Sequence, residues 1–210
     1  STGNINSLVY PRSSIKIFQA LPFILSGANK KFKLNNKILA ISCSSHCGEK
    51  KHLDVLKLWI KKIDFTISAL QCGIHNPINA EASKKVFLSG KKPNQLHNNC
   101  SGKHLAMVSG CLSFNMNVKN YIDFNHPYQK MIRESLEYFT NVSIKKSWYG
   151  LDGCSAPQYA FPIKNLANAM INLTKEKSTK SKYGLASSIL LKSIIKNPNL
   201  IGGTNRFDSE

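Results

Sequence analysis

Arginine is scarce in this strongly basic sequence of 210 residues. Lysine and arginine together number 29 against 11 acidic residues, a formal net charge of +18, yet the arginines are only Arg12, Arg133 and Arg206. Proteins that read nucleic acids use the planar fork of arginine on phosphates and bases. A composition rich in lysine and asparagine is more typical of an AT-rich coding genome, so no nucleic-acid partner is predicted.

The sequence also lacks the marks of membrane and secreted proteins. No apolar run approaches the roughly 20 residues of a membrane span, and residues 1–6 show no basic segment followed by an apolar one. No C-x-x-C pair is present, which favours free thiols in the cytoplasm over a disulfide framework. The six cysteines are Cys43, Cys47, Cys72, Cys100, Cys111 and Cys154. We expect a single domain over residues 1–210 and no membrane partner.

Apolar spacing and helix-start residues predict more helix than strand. Helices are expected to begin at Ser101, at Pro127 and at Pro162. Residues 37–43 form a continuous apolar run typical of a buried strand, and a second strand is expected to end in the turn of residues 151–157. The predicted class is α/β or α+β, with a central sheet flanked by helices.

One segment of eight residues has an unusual density of reactive groups. It reads His97-Asn-Asn-Cys-Ser-Gly-Lys-His104 and carries two imidazoles, two amides, a thiol, a hydroxyl and an amine directly before an apolar helix. Any single histidine in it is more often structural than catalytic. The combination in one short segment nevertheless predicts the wall of an active site.

Ser13 and Lys16 form an S-x-x-K pattern at the start of a predicted helix, which Ser13 or Ser14 is expected to cap. At this spacing the two side chains share a helix face, about 5–6 Å apart at Cβ. The lysine acts as a base only when its pKa falls well below the ordinary value of about 10.4. Composition alone also produces the pattern, because it recurs at Ser89/Lys92, Ser143/Lys146 and Ser193/Lys196.

Two cysteines and a lysine allow two interpretations. Cys100 and Lys103 lie three residues apart on a predicted helix, and Cys154 comes from a separate turn. Two thiolates and one nitrogen with an open fourth position suit zinc, whereas spacing alone favours buried apolar cysteines. Asp152 is either an anchor for a substrate ammonium group or an ordinary turn residue. Ser45 follows the predicted buried strand, where site residues commonly lie.

Six motifs together resemble the asparaginase II family of the Rhizobium etli type, which is distinct from the threonine-dependent bacterial and the plant-type asparaginases. They occur in the family's order and span nearly the whole chain. The motifs are Tyr10–Gln19, Ser45–Glu49, Cys72–Pro77, His97–His104, Gly150–Cys154 and Gly202–Arg206.

The resemblance implies a fold like that of the serine β-lactamases and glutaminases, a homodimer, and hydrolysis of L-asparagine to aspartate and ammonia with the help of zinc. It implies catalytic roles for Ser13, Lys16 and Ser45, substrate binding by Arg12, His104 and Asp152, and zinc ligation by Cys100, Lys103 and Cys154. Either serine is a candidate nucleophile, and Ser45 is favoured, with Ser13 and Lys16 as the activating relay.

The sequence departs from the family pattern in two ways. Cys47 stands where a small hydroxyl residue is usual. Family members also begin earlier and continue beyond Arg206, where the lysine partner of Ser45 lies. The resemblance therefore predicts a partial domain, incomplete at the C-terminus, with weak or no activity of its own. The alternatives are another amidohydrolase of the same fold, acting on glutamine or a β-lactam-type amide, and a non-catalytic zinc-binding remnant.

Overall fold

A computed structural model of the chain describes residues 3–176 and 181–209. Within these residues, α-helices are joined by loops, short 3₁₀ turns and four short strands. The helices are α1 (Lys16–Leu25), α2 (Ala28–Lys31), α3 (Asn36–Ser42), α4 (Lys50–Ile63), α5 (Ala80–Leu88), α6 (Ser101–Ser113), α7 (Pro127–Thr140), α8 (Ile163–Lys175) and α9 (Gly184–Lys196). The strands are β1 (Leu8–Val9), β2 (Tyr149–Leu151), β3 (Pro157–Tyr159) and β4 (Phe161–Pro162).

The strands form two small antiparallel sheets. β1 pairs with β4, and β2 pairs with β3 in a hairpin that sets Leu151 opposite Pro157. The turn of this hairpin carries Asp152 and Cys154, as the sequence predicted for a strand ending in a glycine-containing turn. The mixture of helix and small sheets is compatible with the α/β or α+β class.

The prediction of a buried strand at residues 37–43 is wrong, because this run forms α3. Asn35 caps the helix, with its side chain accepting a hydrogen bond from the backbone N–H of Ile38 at 3.1 Å. The run is apolar on every side because α4, α6 and α9 surround the helix. A short run buried all round has the same pattern in a strand and in a helix. No central sheet crosses the described ranges 3–176 and 181–209; helices fill that place.

Other expected helix boundaries are confirmed. α6 begins at Ser101, α7 begins at Pro127, and α8 begins directly after Pro162. The first helix differs from the prediction, because residues 12–15 form a 3₁₀ turn and α1 begins only at Lys16, without a side-chain cap. Neither Ser13 nor Ser14 is therefore its N-cap.

The core is built where α1, α3 and α6 meet. α1 packs on α6 and α7, and α3 packs on α6 and α9. Gly102 allows α6 to approach α3 closely, since a Cβ at this position would collide with the carbonyl oxygen of Ile41. This approach brings the start of α6 beside the loop that follows α3. Along the described chain, no helix has the length and apolar character needed to cross a membrane.

Candidate active site

Four segments distant in sequence meet around a cavity of about 200 Å³. They are the 3₁₀ turn before α1, the loop at residues 72–77, the segment that leads into α6, and the turn of the β2–β3 hairpin. The residues that line the cavity are Arg12, Ser13, His75, Asn98, Asn99, Cys100, Asp152, Gly153 and Cys154. All nine belong to the six motifs, so the fold gathers the predicted chemistry in one place.

The two predicted serines are in direct contact. Ser13 Oγ donates a hydrogen bond to Ser45 Oγ at 3.2 Å, and Asn99 Nδ2 donates to the same Ser45 oxygen at 3.1 Å. Both lone pairs of Ser45 Oγ are thus engaged, whereas Ser13 faces the cavity. Arg12, next to Ser13, has a left-handed backbone with φ of 49°. Such a conformation is uncommon for a residue other than glycine and is enriched at functional sites.

Lys16 is buried beneath this pair. Its Nζ donates to the carbonyl oxygen of Ser44 at 2.5 Å and to that of Asn99 at 3.4 Å. Burial lowers the pKa of Lys16, although the nearby Cys100 opposes the shift. Ser13 is not among the hydrogen-bond partners of Lys16, because Ser13 lies exposed in the 3₁₀ turn while the lysine stem enters the core. The lysine supports the serines through the backbone on either side of the site.

A cluster of sulfur and carboxylate atoms forms the opposite wall. Ligand atoms of Cys100, Asp152 and Cys154 all lie within 4.8 Å of one another, and Cys154 Sγ is 3.7 Å from Asp152 Oδ2. The buried Lys103 Nζ lies 3.6 Å from the same carboxylate oxygen and makes no hydrogen bond within the described residues. Two thiols, a carboxylate and an unpartnered amine in one place are suitable ligands for a soft divalent metal ion.

The charges of this cluster are mutually compensating. A hydrogen bond from the Cys154 thiol, together with Lys103, lowers the pKa of Cys100 in spite of burial. Burial by itself would lower the pKa of Lys103, but Cys100, Cys154 and Asp152 outweigh it and raise that pKa. Burial would likewise raise the pKa of Asp152, yet Lys103, a backbone N–H and Arg12 lower it. The Arg12 guanidinium lies 2.9 Å from the Asp152 carboxylate, so this series of opposite charges reaches the cavity.

His104 lies behind the cluster and is fully buried rather than part of the cavity wall. Its Nδ1 is 2.7 Å from the hydroxyl of Tyr121, and its Nε2 has no hydrogen-bond partner within the described residues. Burial and the positive charges of Lys103 and Lys16 hold the pKa of His104 well below its ordinary value. The ring is therefore neutral at physiological pH.

The family model for L-asparaginase II matches residues 1–210, the whole chain. The chain belongs to the L-asparaginase II family. A search of the curated proteins finds no match. Membership suggests a hydrolase that acts on the amide of asparagine, and it confirms the resemblance drawn from the six motifs.

Two residues of this L-asparaginase II chain received no role from sequence reasoning and yet contact the serines or their neighbours. Asn99 binds Ser45 directly, and His75 Nε2 accepts a hydrogen bond from the backbone N–H of Asn99 at 3.1 Å. Both residues lie within the quoted motifs. The sequence pointed to both residues only through their positions: Asn99 precedes Cys100, and His75 lies within the Cys72–Pro77 motif.

A second ligand cluster of this family member has a structural explanation. Cys47, Glu49 and His52 also offer ligand atoms within 4.8 Å of one another. Glu49 accepts hydrogen bonds from the Cys47 thiol at 2.8 Å and from the Thr204 N–H at 2.7 Å. His52 accepts at Nδ1 from the Glu49 N–H, and its Nε2 lies 3.2 Å from the carbonyl oxygen of Asn199. These bonds anchor the Gly202–Arg206 motif to α4.

A larger cavity of about 710 Å³ lies beside this second cluster, between α4 and α5. Neither serine nor any of the residues Cys100, Asp152 and Cys154 lines it. We therefore place the site in the smaller cavity, where the hydroxyl groups, the thiols and the charged groups converge.

Proposed function

We propose that the protein hydrolyses L-asparagine to aspartate and ammonia by acyl transfer to a serine. The observation that carries the proposal is the hydrogen-bonded pair of Ser13 and Ser45 at a cavity lined by the Arg12–Asp152 ion pair. Lys16 lies buried nearby and donates to the backbone of Ser44 and Asn99. Family membership supplies the substrate class. The geometry supplies groups for binding and for proton transfer.

Arg12 and Asp152 suit the two charges of an amino acid. The exposed Arg12 guanidinium attracts the α-carboxylate, and the Asp152 carboxylate attracts the α-ammonium group. Both residues line the cavity beside Ser13. A substrate held at this ion pair directs its side-chain amide toward the serine hydroxyl groups. His104 supports this wall from behind.

We propose Ser13 as the nucleophile, since it faces the cavity and already donates its proton to Ser45. Ser13 Oγ bonds to the side-chain amide carbon while its proton passes to Ser45 Oγ, and Ser45 passes its own proton to the amide nitrogen. The amine of Lys16 holds the backbone of Ser44 and Asn99 on either side of this relay. The C–N bond then breaks, and the protonated nitrogen departs as ammonia. Water cleaves the resulting ester, which releases aspartate and restores the Ser13 hydroxyl. The reverse order, in which Ser45 attacks, is the alternative.

Zinc is the cofactor that we propose for the thiol cluster. Cys100, Cys154 and Lys103 would hold it, with Asp152 adjacent, because the buried lysine amine makes no hydrogen bond to any residue that the structure describes and the pKa of the Cys100 thiol is lowered. When bound, zinc supplies a positive charge that assists substrate binding at this wall. Ser13 and Ser45 perform their proton transfers independently of the metal.

The remaining proposals rest on the resemblance. We propose a homodimer with the serine β-lactamase and glutaminase type of fold. A cytoplasmic location agrees with the six cysteines, all of which are free and buried.

The test is ammonia release from L-asparagine, with L-glutamine and a chromogenic β-lactam as competing substrates. We expect faster ammonia release from asparagine than from glutamine, and faster hydrolysis of asparagine than of the β-lactam. Ser13→Ala and Ser45→Ala should each lower kcat for asparagine by about 10³-fold or more. Ser14→Ala is the matched control, because the one hydrogen bond of the Ser14 hydroxyl in the described part of the chain goes to the carbonyl oxygen of Pro11. Mass mapping of a trapped acyl group to Ser13 or to Ser45 decides the order of the relay.

If glutamine or the β-lactam were hydrolysed as fast as asparagine, asparagine would not be the specific substrate. Bound zinc without release from any of the three amides would favour the non-catalytic remnant.

A further inference from the structure

Asn99 connects the serine pair to Lys16. Its side-chain Nδ2 donates to Ser45 Oγ at 3.1 Å, and its carbonyl oxygen accepts from Lys16 Nζ at 3.4 Å. A displacement of Asn99 therefore moves a donor to the serine relay and an acceptor for the lysine at the same time. Whatever holds the backbone of Asn99 also sets the geometry of the reactive groups.

His75 holds that backbone. The N–H of Asn99 donates to His75 Nε2 at 3.1 Å, so Nε2 carries a lone pair. On the other side of the ring, Nδ1 lies 2.6 Å from the carbonyl oxygen of Asn76, which only accepts, so Nδ1 carries the proton. These two backbone groups thus assign the proton to Nδ1 and the acceptor role to Nε2.

The ring also lies at the correct place for this role. His75 lines the cavity, but its polar atoms are used on Asn99 and on Asn76. A neighbouring contact, Asn98 Nδ2 to the carbonyl oxygen of Gly73 at 2.8 Å, joins the same two loops. The Asn98 contact connects the loops, and His75 is the residue that bonds to Asn99 itself.

We propose that His75 is a positioning residue, which acts through Asn99 to keep Ser45 Oγ in hydrogen-bond distance of Ser13. This inference rests on the proposed function. His75 does not touch the substrate or the reacting atoms in this role. Without the acceptor at Nε2, the Asn99 N–H loses its partner, the peptide shifts, and the donor to Ser45 Oγ moves with it.

Two substitutions separate the hydrogen bond from the space that the ring fills. His75→Phe keeps a ring and removes the acceptor, and we expect kcat for asparagine to fall by about 10²-fold. The KM should change less than about threefold, because Arg12 and Asp152 are untouched. His75→Gln places an amide oxygen near the position of Nε2 and should restore most of kcat. His126→Gln, at the N-cap of α7 and far from the serines in sequence, is the matched control.

Two measurements without substrate turnover keep the inference separate from the asparaginase proposal. The ¹⁵N spectrum of histidine-labelled protein, with the signal of His75 assigned from His75→Gln, should show a protonated Nδ1 and an unprotonated Nε2. The rate at which a fluorophosphonate labels Ser13 or Ser45, read by mass spectrometry, should fall in His75→Phe and recover in His75→Gln.

A protonated Nε2, or a folded His75→Phe variant with wild-type labelling, overturns the positioning role. A wild-type protein that labels as expected but releases no ammonia from asparagine overturns only the proposed function. Equal losses of kcat in His75→Phe and His75→Gln, accompanied by equal losses of Tm, would also overturn the role, since they indicate a structural contribution alone.

Discussion

Ser13 and Ser45 share a hydrogen bond of 3.2 Å between their Oγ atoms, although they are 32 residues apart in the chain. Ser13 lies in the 3₁₀ turn before α1, and Ser45 lies in the loop after α3. α1, α3 and α6 pack together and bring these ends to one cavity. Two weak nucleophiles in contact form a proton path that neither hydroxyl group provides alone.

Lys16 should impose a pH dependence on stability. Its pKa in the folded protein is lowered from the ordinary 10.5 by burial, so the unfolded chain binds a proton more readily. Stability of the wild type therefore decreases as the pH falls from about 10.5 toward the folded pKa and is level below it. Lys16→Met should gain stability relative to the wild type over that window while losing activity.

Chemical denaturation at a series of pH values measures the effect of Lys16→Met. Lys61→Met is the control, because Lys61 lies exposed on α4. A constant difference between Lys16→Met and the wild type from neutral to alkaline pH would contradict the lowered pKa.

Removal of one thiol should remove the metal. Cys100→Ser replaces a readily ionised thiol with a hydroxyl group that is a poor zinc ligand, so we expect the variant to lose its zinc during dialysis. The measurement is metal content by mass spectrometry, with KM for asparagine determined alongside. Cys43→Ser is the control, since Cys43 is also free and buried but lies at the end of α3, outside the cluster. Equal zinc in both variants would exclude Cys100 as a ligand.

Gly102→Ala should destabilise the protein although alanine favours helices. A Cβ on this residue collides with the carbonyl oxygen of Ile41, and a backbone atom in a packed helix cannot move aside without cost. We expect a loss of about 1–3 kcal/mol in the free energy of unfolding. Gly73→Ala is the matched control, because a Cβ there would meet no atom of the described residues within 4 Å. Urea unfolding of both variants tests the prediction, which a neutral Gly102→Ala would contradict.

Glu49 should contribute stability that is lost in acid. Burial would raise its pKa, but hydrogen bonds from Cys47 and Thr204 lower it from 4.5 to about 2 in the folded protein. The contribution is therefore complete above pH 4.5 and disappears as the pH falls toward 2.

Glu49→Gln should thus be less stable than the wild type at neutral pH, with a difference that shrinks across this window. Asp54→Asn, which removes an exposed ion pair with Lys50, serves as the control. Thermal unfolding at several pH values measures both variants. A difference for Glu49→Gln that is unchanged at acidic pH would indicate that the hydrogen bonds do not depend on the charge of Glu49.

Local chemistry alone was enough to predict much of this protein. Proline at the first turn of a helix and a polar residue before an apolar face are local features, so the starts of α6, α7 and α8 were predicted correctly. The Asp152–Cys154 turn and the His97–His104 segment were recognisable because their residue types are unusual together. The same motifs identified the family over the whole chain.

Tertiary packing decided the rest. Residues 37–43 form a helix because other helices surround them, and a run that is apolar on all sides does not reveal its own period. The contacts of Lys16 with the carbonyl oxygens of Ser44 and Asn99, and the hydrogen bond from Asn99 to His75, join segments far apart in the chain. Sequence spacing determines which side chains share an element. Which elements meet depends on the free energy of burying their apolar faces together, a property of the whole chain.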